Sequence, residues 1–114
     1  MRRFYIPEVY SEKECDGCGS GWNEKIVPDS IFTLDIRTAC YVHDYMYMQG
    51  GSDSDRLFAD MILLNNILFL IEEKKEWWYP TRLARYRAMT YYQAVREFGA
   101  PYFEAHNKKK EIDK

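Results

Sequence analysis

Two stretches with helical periodicity lie on either side of a pair of glycines, and this restricts the fold of the chain more than any other feature. From about Asp35, Ile36, Ala39, Cys40, His43 and Tyr47 recur at spacings of three and four residues, the signature of one helix face. Thr33 or Asp35 is available to cap the start, and Gly50-Gly51 supplies the stop. A second helical pattern runs from about Ser54 to Lys75. Its apolar stripe is wide, made of Leu57, Phe58, Met61, Ile62, Leu64, Leu68 and Ile71. Ser52, Asp53 and Asp55 suit its first turn, where partial positive charge favours carboxylates. So short a link between two helices predicts an antiparallel hairpin.

Beyond the hairpin, residues 76–79 break the pattern and Pro80 suits a first helical position. A third helix is expected over Thr81–Phe98, with Leu83, Tyr91, Ala94, Val95 and Phe98 on its buried side and Gly99 as its stop. Residues 1–34 read as loop, with Gly17, Gly19 and Gly21 alternating, Pro7 and Pro28 breaking any helix, and no strand. Residues 100–114 read as a polar, fraying tail. With 114 residues there is room for one domain. The expected architecture is therefore all-α over 1–114: an irregular segment (1–34) packed on a three-helix core (35–99), then the tail.

Composition narrows the function. The net charge of −2 lacks the basic excess of a nucleic-acid binder. No apolar run reaches the length of a transmembrane segment. The start, MRRFYIPEVY, has two arginines but no apolar stretch behind them, so no signal peptide is expected. The sequence leaves open whether the protein works outside the cell or within it. Three cysteines, Cys15, Cys18 and Cys40, allow at most one internal bridge, so the fold must rest on packing.

The chemistry concentrates in TACYVHDYMYMQGG. Neighbours on a helix point about 100° apart, so His43 and Asp44 serve different directions. His43 is suited to act as a base, with Cys40 and Tyr47 on its side of the helix. Upstream lies Cys15-Asp-Gly-Cys-Gly-Ser-Gly-Trp22, whose glycines let the backbone turn its carbonyls inward. Calcium takes about six to eight oxygens and accepts such carbonyls readily. Asp44 could add a bidentate carboxylate, which with three loop carbonyls and two waters gives about seven. A rival reading takes Cys15, Cys18, Cys40 and His43 as a Cys₃His zinc site in a helical binding module without catalysis. No nucleophile elbow surrounds Ser20, and no H-E-x-x-H is present.

Taken together, CGSG, TACYVHDYMY and SDRLFADM resemble the phospholipase A2 superfamily, and TYYQAVREFG resembles the third-helix segment of its small bacterial members. Cys40, His43, Asp44 and Tyr47 match the C-x-x-H-D-x-x-Y helix motif position for position, and the likeness extends over most of 15–99. The resemblance implies calcium-dependent hydrolysis of the sn-2 ester of glycerophospholipids at a membrane or micelle surface. It implies His43 as the base for water and Asp55 on its other ring nitrogen, with Tyr47 holding that aspartate. The calcium would be held by Asp44 and the carbonyls of Gly17, Gly19 and Gly21, and the Gly19 amide would face the oxyanion. It also implies a Cys18–Cys40 disulfide, leaving Cys15 over. Asp55 leads the D-x-x-F match. Asp60, deeper in the second helix, matches His43 better in depth. An intact fold without turnover, serving as a lipid-binding or structural protein, is a further alternative.

Between Lys74 and Arg96 the chain carries six basic residues and only Glu76 as an acid, interleaved with aromatics. Trp77, Trp78 and Tyr79 are therefore candidates for a membrane-interface contact on anionic lipid. The plainer reading has the two tryptophans filling the corner between helices.

Overall fold

The computed structural model describes residues 3–7, 30–74 and 76–105. Two-residue strands β1 (Ser30–Ile31) and β2 (Leu34–Asp35) pair antiparallel, Ser30 opposite Asp35 and Ile31 opposite Leu34. Three helices follow: α1 (Arg37–Gln49), α2 (Asp53–Glu73) and α3 (Thr81–Phe98), and residues 100–105 are again helical. The chain is predominantly helical, as expected.

The hairpin corrects the expectation of no strand before residue 35. Strands of two residues are too short for alternation to be visible, and the turn lacks glycine. Phe32 and Thr33 both take positive φ, 47° and 76°, the left-handed turn that suits strand twist. Each such residue costs about 1–2 kcal/mol. Opposing that cost, the Arg87 guanidinium lies 4.5 Å from the Phe32 ring centre. Tyr79 also donates to the Ile31 carbonyl at 2.8 Å.

α1 begins after Ile36 with no side-chain cap on it. Asp35, one position earlier, accepts the Arg37 amide at 2.9 Å and pairs with the Arg37 guanidinium at 2.7 Å. Gly50, with φ of 69°, ends the helix as the glycine pair predicts. α2 opens on a complete capping box: the Ser52 hydroxyl accepts the Asp55 amide, and the Asp55 carboxylate accepts the Ser52 amide at 2.8 Å. Pro80 stands one position earlier than expected, as the cap of α3.

α2 packs against both α1 and α3. The main core joins Ile31, Ile36, Ala39 and Cys40 to Leu63, Ile67 and Ile71 of α2 and to Tyr79, Ala84, Ala88, Tyr91 and Val95. Ala84 and Ala88, one turn apart, bring α3 close to α2. The expected faces of α2 and α3 need correction. Leu57, Phe58 and Met61 are exposed, and Ala59, Asp60, Leu63 and Asn66 are buried in their place. Leu83 and Phe98 are likewise exposed. The tail also differs from expectation over 100–105: Phe103 is buried against Tyr47 and Ala59.

Residues 3–7 lie along α2. Asn66, fully buried, treats Tyr5 as a strand neighbour would. Its carboxamide accepts the Tyr5 amide at 2.8 Å and donates to the Tyr5 carbonyl at 2.9 Å. Asn65 donates to the Arg3 carbonyl at 2.7 Å. Two buried polar groups are thereby satisfied and the arm is fixed.

Candidate active site around His43 and Asp60

The gap between α1 and α2 is short, so depth along each helix decides which side chains meet. His43 lies six residues before the end of α1, about 9 Å at 1.5 Å per residue. Asp60 lies seven residues into α2, about 10 Å, whereas Asp55 lies only about 3 Å in. Accordingly His43 Nε2 meets Asp60 Oδ1 at 2.7 Å, with both side chains essentially out of solvent at 1% and 0% exposure. This corrects the assignment of Asp55 as the imidazole's partner: its carboxylate is spent on the capping box.

Tyr47, one turn after His43, donates to the same Asp60 Oδ1 at 2.6 Å, and its ring centre lies 4.3 Å from the imidazole. Tyr47 therefore meets the expectation of holding the aspartate, with Asp60 as that aspartate. The second carboxylate oxygen faces α3. Arg96 Nη1 donates to Asp60 Oδ2 at 2.8 Å, and Arg56, one turn before Asp60, reaches it at 3.5 Å. Arg56 also donates to the Tyr47 hydroxyl at 3.4 Å and to the carbonyls of Val95 and Arg96 at 3.3 and 3.4 Å.

Burial by itself would raise the pKa of Asp60. Hydrogen bonds and charge from His43, with those from Tyr47 and Arg96, outweigh it and hold the carboxyl below its ordinary range. Burial, reinforced by the Asp60 charge, pushes the Tyr47 phenol upward, so it remains a donor at neutral pH. An ionised carboxylate only accepts, so the imidazole proton sits on Nε2. In the singly protonated ring the lone pair then lies on Nδ1.

Asp44 is buried beside this cluster and accepts the Tyr102 hydroxyl at 3.2 Å. Among the described residues no group of three or more His, Cys, Asp or Glu could hold a metal. The expected carbonyl ligands Gly17, Gly19 and Gly21, and with them the Gly19 amide, lie outside the described residues. Cys40 is buried and disulfide-bonded. Cys15 and Cys18 lie outside the described residues, so the pairing with Cys18 is carried forward as a proposal.

The corner residues separate. Trp77 is 95% exposed and Trp78 about half exposed, which corrects the reading that they fill the corner. Tyr79 is corrected in the opposite sense: it is buried in the core and its hydroxyl is used on Ile31. Sequence reasoning missed Arg56, Arg96 and Tyr102. Arg56 carried a signal, since it stands four residues before Asp60 on one helix face. Arg96 and Tyr102 come from distant segments and carried none. Comparison with protein-family models, with curated proteins and with solved structures gives no match.

Proposed function

We propose that this protein is a phospholipase A2-like hydrolase that cleaves the sn-2 ester of glycerophospholipids with calcium. The observation that carries the reading is the buried His43–Asp60 pair, with Tyr47 on the same carboxylate oxygen and Asp44 next in the chain. In this reading His43 Nδ1 draws the proton from a water as that water attacks the ester carbonyl. Asp60 fixes the tautomer and stabilises the imidazolium as it forms, and Tyr47 and Arg96 keep Asp60 ionised and in place. The proton then passes to the leaving alkoxide.

Asp44 and the carbonyls of Gly17, Gly19 and Gly21 are the groups that would hold the calcium, with a Cys18–Cys40 bridge tying that loop to α1. A calcium ion held there would supply electrophilic stabilisation of the developing negative charge, and the Gly19 amide is the expected donor to the same oxygen. A buried carboxylate beside a histidine is a suitable hard donor for such an ion.

A Cys18–Cys40 bridge, which belongs to this reading, would deny the zinc alternative Cys40 as a thiolate. The reading without turnover has a specific support: the Asp60 network joins α1, α2 and α3 and so has a structural use of its own. Fatty-acid release with calcium and with chelator separates these readings. His43→Gln and Asp44→Asn should each lower turnover by at least about a hundredfold, and only Asp44→Asn should abolish calcium binding measured by calorimetry. Retained turnover in His43→Gln rejects the base assignment.

A further inference from the structure

Apart from Arg87 over Phe32, the outward side of α3 and the two tryptophans at the corner before it take no part in the core or the polar cluster. From Trp77 to Arg96 the sequence carries four arginines and no acidic residue, in a chain whose net charge is −2. Arg82, Arg85 and Arg87 are all exposed. Between them stand large apolar side chains that the core does not take: Leu83 at 60%, Tyr86 at 72% and Met89, with Trp77 and Trp78 at the corner. Arg82, Leu83, Tyr86, Met89 and Thr90 follow one another at helical spacing, opposite the Ala84–Ala88–Tyr91–Val95 side that packs on α2. The result is a set of exposed apolar and basic side chains along α3 and the corner before it, bordered by the exposed carboxylates Glu72, Glu73 and Glu76. It also lies away from His43: Asp60 and the end of α2 are thirteen residues apart, about 20 Å along the axis.

We propose that this surface docks the protein on an anionic lipid bilayer, with Trp77 and Trp78 entering the interface and Arg82 and Arg85 meeting headgroup phosphates. Charge complementarity selects the sign of the partner, at about 1 kcal/mol per arginine near such a surface. The apolar members select its kind. A bilayer offers an apolar layer beneath its charge, which Trp77, Leu83 and Met89 can enter, and indoles favour that boundary. A nucleic acid offers phosphates and stacking faces but nothing that would take up Leu83 and Met89. Arg87 is held over Phe32 and contributes charge rather than reach. The proposal goes beyond hydrolysis, since a lipid-binding protein without turnover would present the same surface.

The test uses the full chain with vesicles of phosphatidylcholine alone and of phosphatidylcholine with about one third phosphatidylglycerol, read by cosedimentation and tryptophan emission. Binding to the anionic vesicles only, with a blue shift and loss at high salt, is expected. Arg82→Gln with Arg85→Gln should weaken partitioning roughly 25-fold, about fivefold per charge. Trp77→Ala with Trp78→Ala should abolish the blue shift, and Leu57→Ser with Met61→Ser on α2 should change neither readout. Equal binding to neutral vesicles, or loss through Leu57 and Met61 instead, overturns the proposal. So does tighter binding of a single-stranded oligonucleotide lost in the arginine variant. Cleavage of a monomeric short-chain phospholipid without vesicle binding refutes this surface and leaves the proposed hydrolysis standing; vesicle binding without cleavage does the reverse.

Discussion

Asp60 is the residue on which the most depends, because one carboxylate answers to three helices. Its folded pKa is depressed, so its contribution is present above the ordinary carboxylate value of 3.8 and is lost as pH falls through the folded value. Asp60→Asn should cost about 3 kcal/mol at neutral pH, at the low end for a broken buried pair because Arg96 and Arg56 still reach solvent. It should also flatten the acid limb of a denaturation series; an unchanged acid limb would place the acid-sensitive group elsewhere. Tyr47 behaves in the opposite sense. Its folded pKa is raised, so its contribution is full below the ordinary phenol value of 10 and declines as pH rises beyond it. Tyr47→Phe should lose about 1.5–2 kcal/mol at pH 7 by urea denaturation and show a shallower alkaline decline. The sequence made His43, Asp44 and Tyr47 legible, since they share one short helical motif. It could not make Arg96 legible, because a contact spanning thirty-six positions leaves no local spacing to read.

At the scale of elements, two of the three aspartates in the first half of α2, Asp55 and Asp60, have divided their work by depth. Asp55 closes a capping box in the first turn and Asp60 meets His43 two turns in. Asp55→Ala should therefore lower stability by about 1 kcal/mol, a few degrees in Tm, and leave fatty-acid release per folded molecule unchanged. Helix positions and the glycine stop of α1 are readable from periodicity and caps. The faces are not. On α2 apolar residues wrap most of the circumference, so periodicity names no single side, and the choice falls to partners elsewhere: Tyr5 for Asn66, Arg96 for Asp60. Gly99 shows the same limit. Its φ is −82°, so it is not a left-handed stop, and the helical path resumes at residue 100. What requires glycine is space: a Cβ there would stand 2.6 Å from the Tyr47 hydroxyl.

For the whole molecule, the proposed chemistry and the cohesion of the fold share the same atoms. The polar cluster joins α1 to α2 to α3 at one end, and the alanine-lined core joins them along the remainder. The surface proposed to meet lipid lies toward the opposite end of α3, so docking and hydrolysis can be changed by separate substitutions. Arg56 holds the Val95 and Arg96 carbonyls, where a helix end would ordinarily open on its own. The closing turn of α3 should thus exchange its amide hydrogens in step with the middle of α2, as one cooperative unit. In Arg56→Met those hydrogens should be released orders of magnitude sooner while the α2 amides keep their pace.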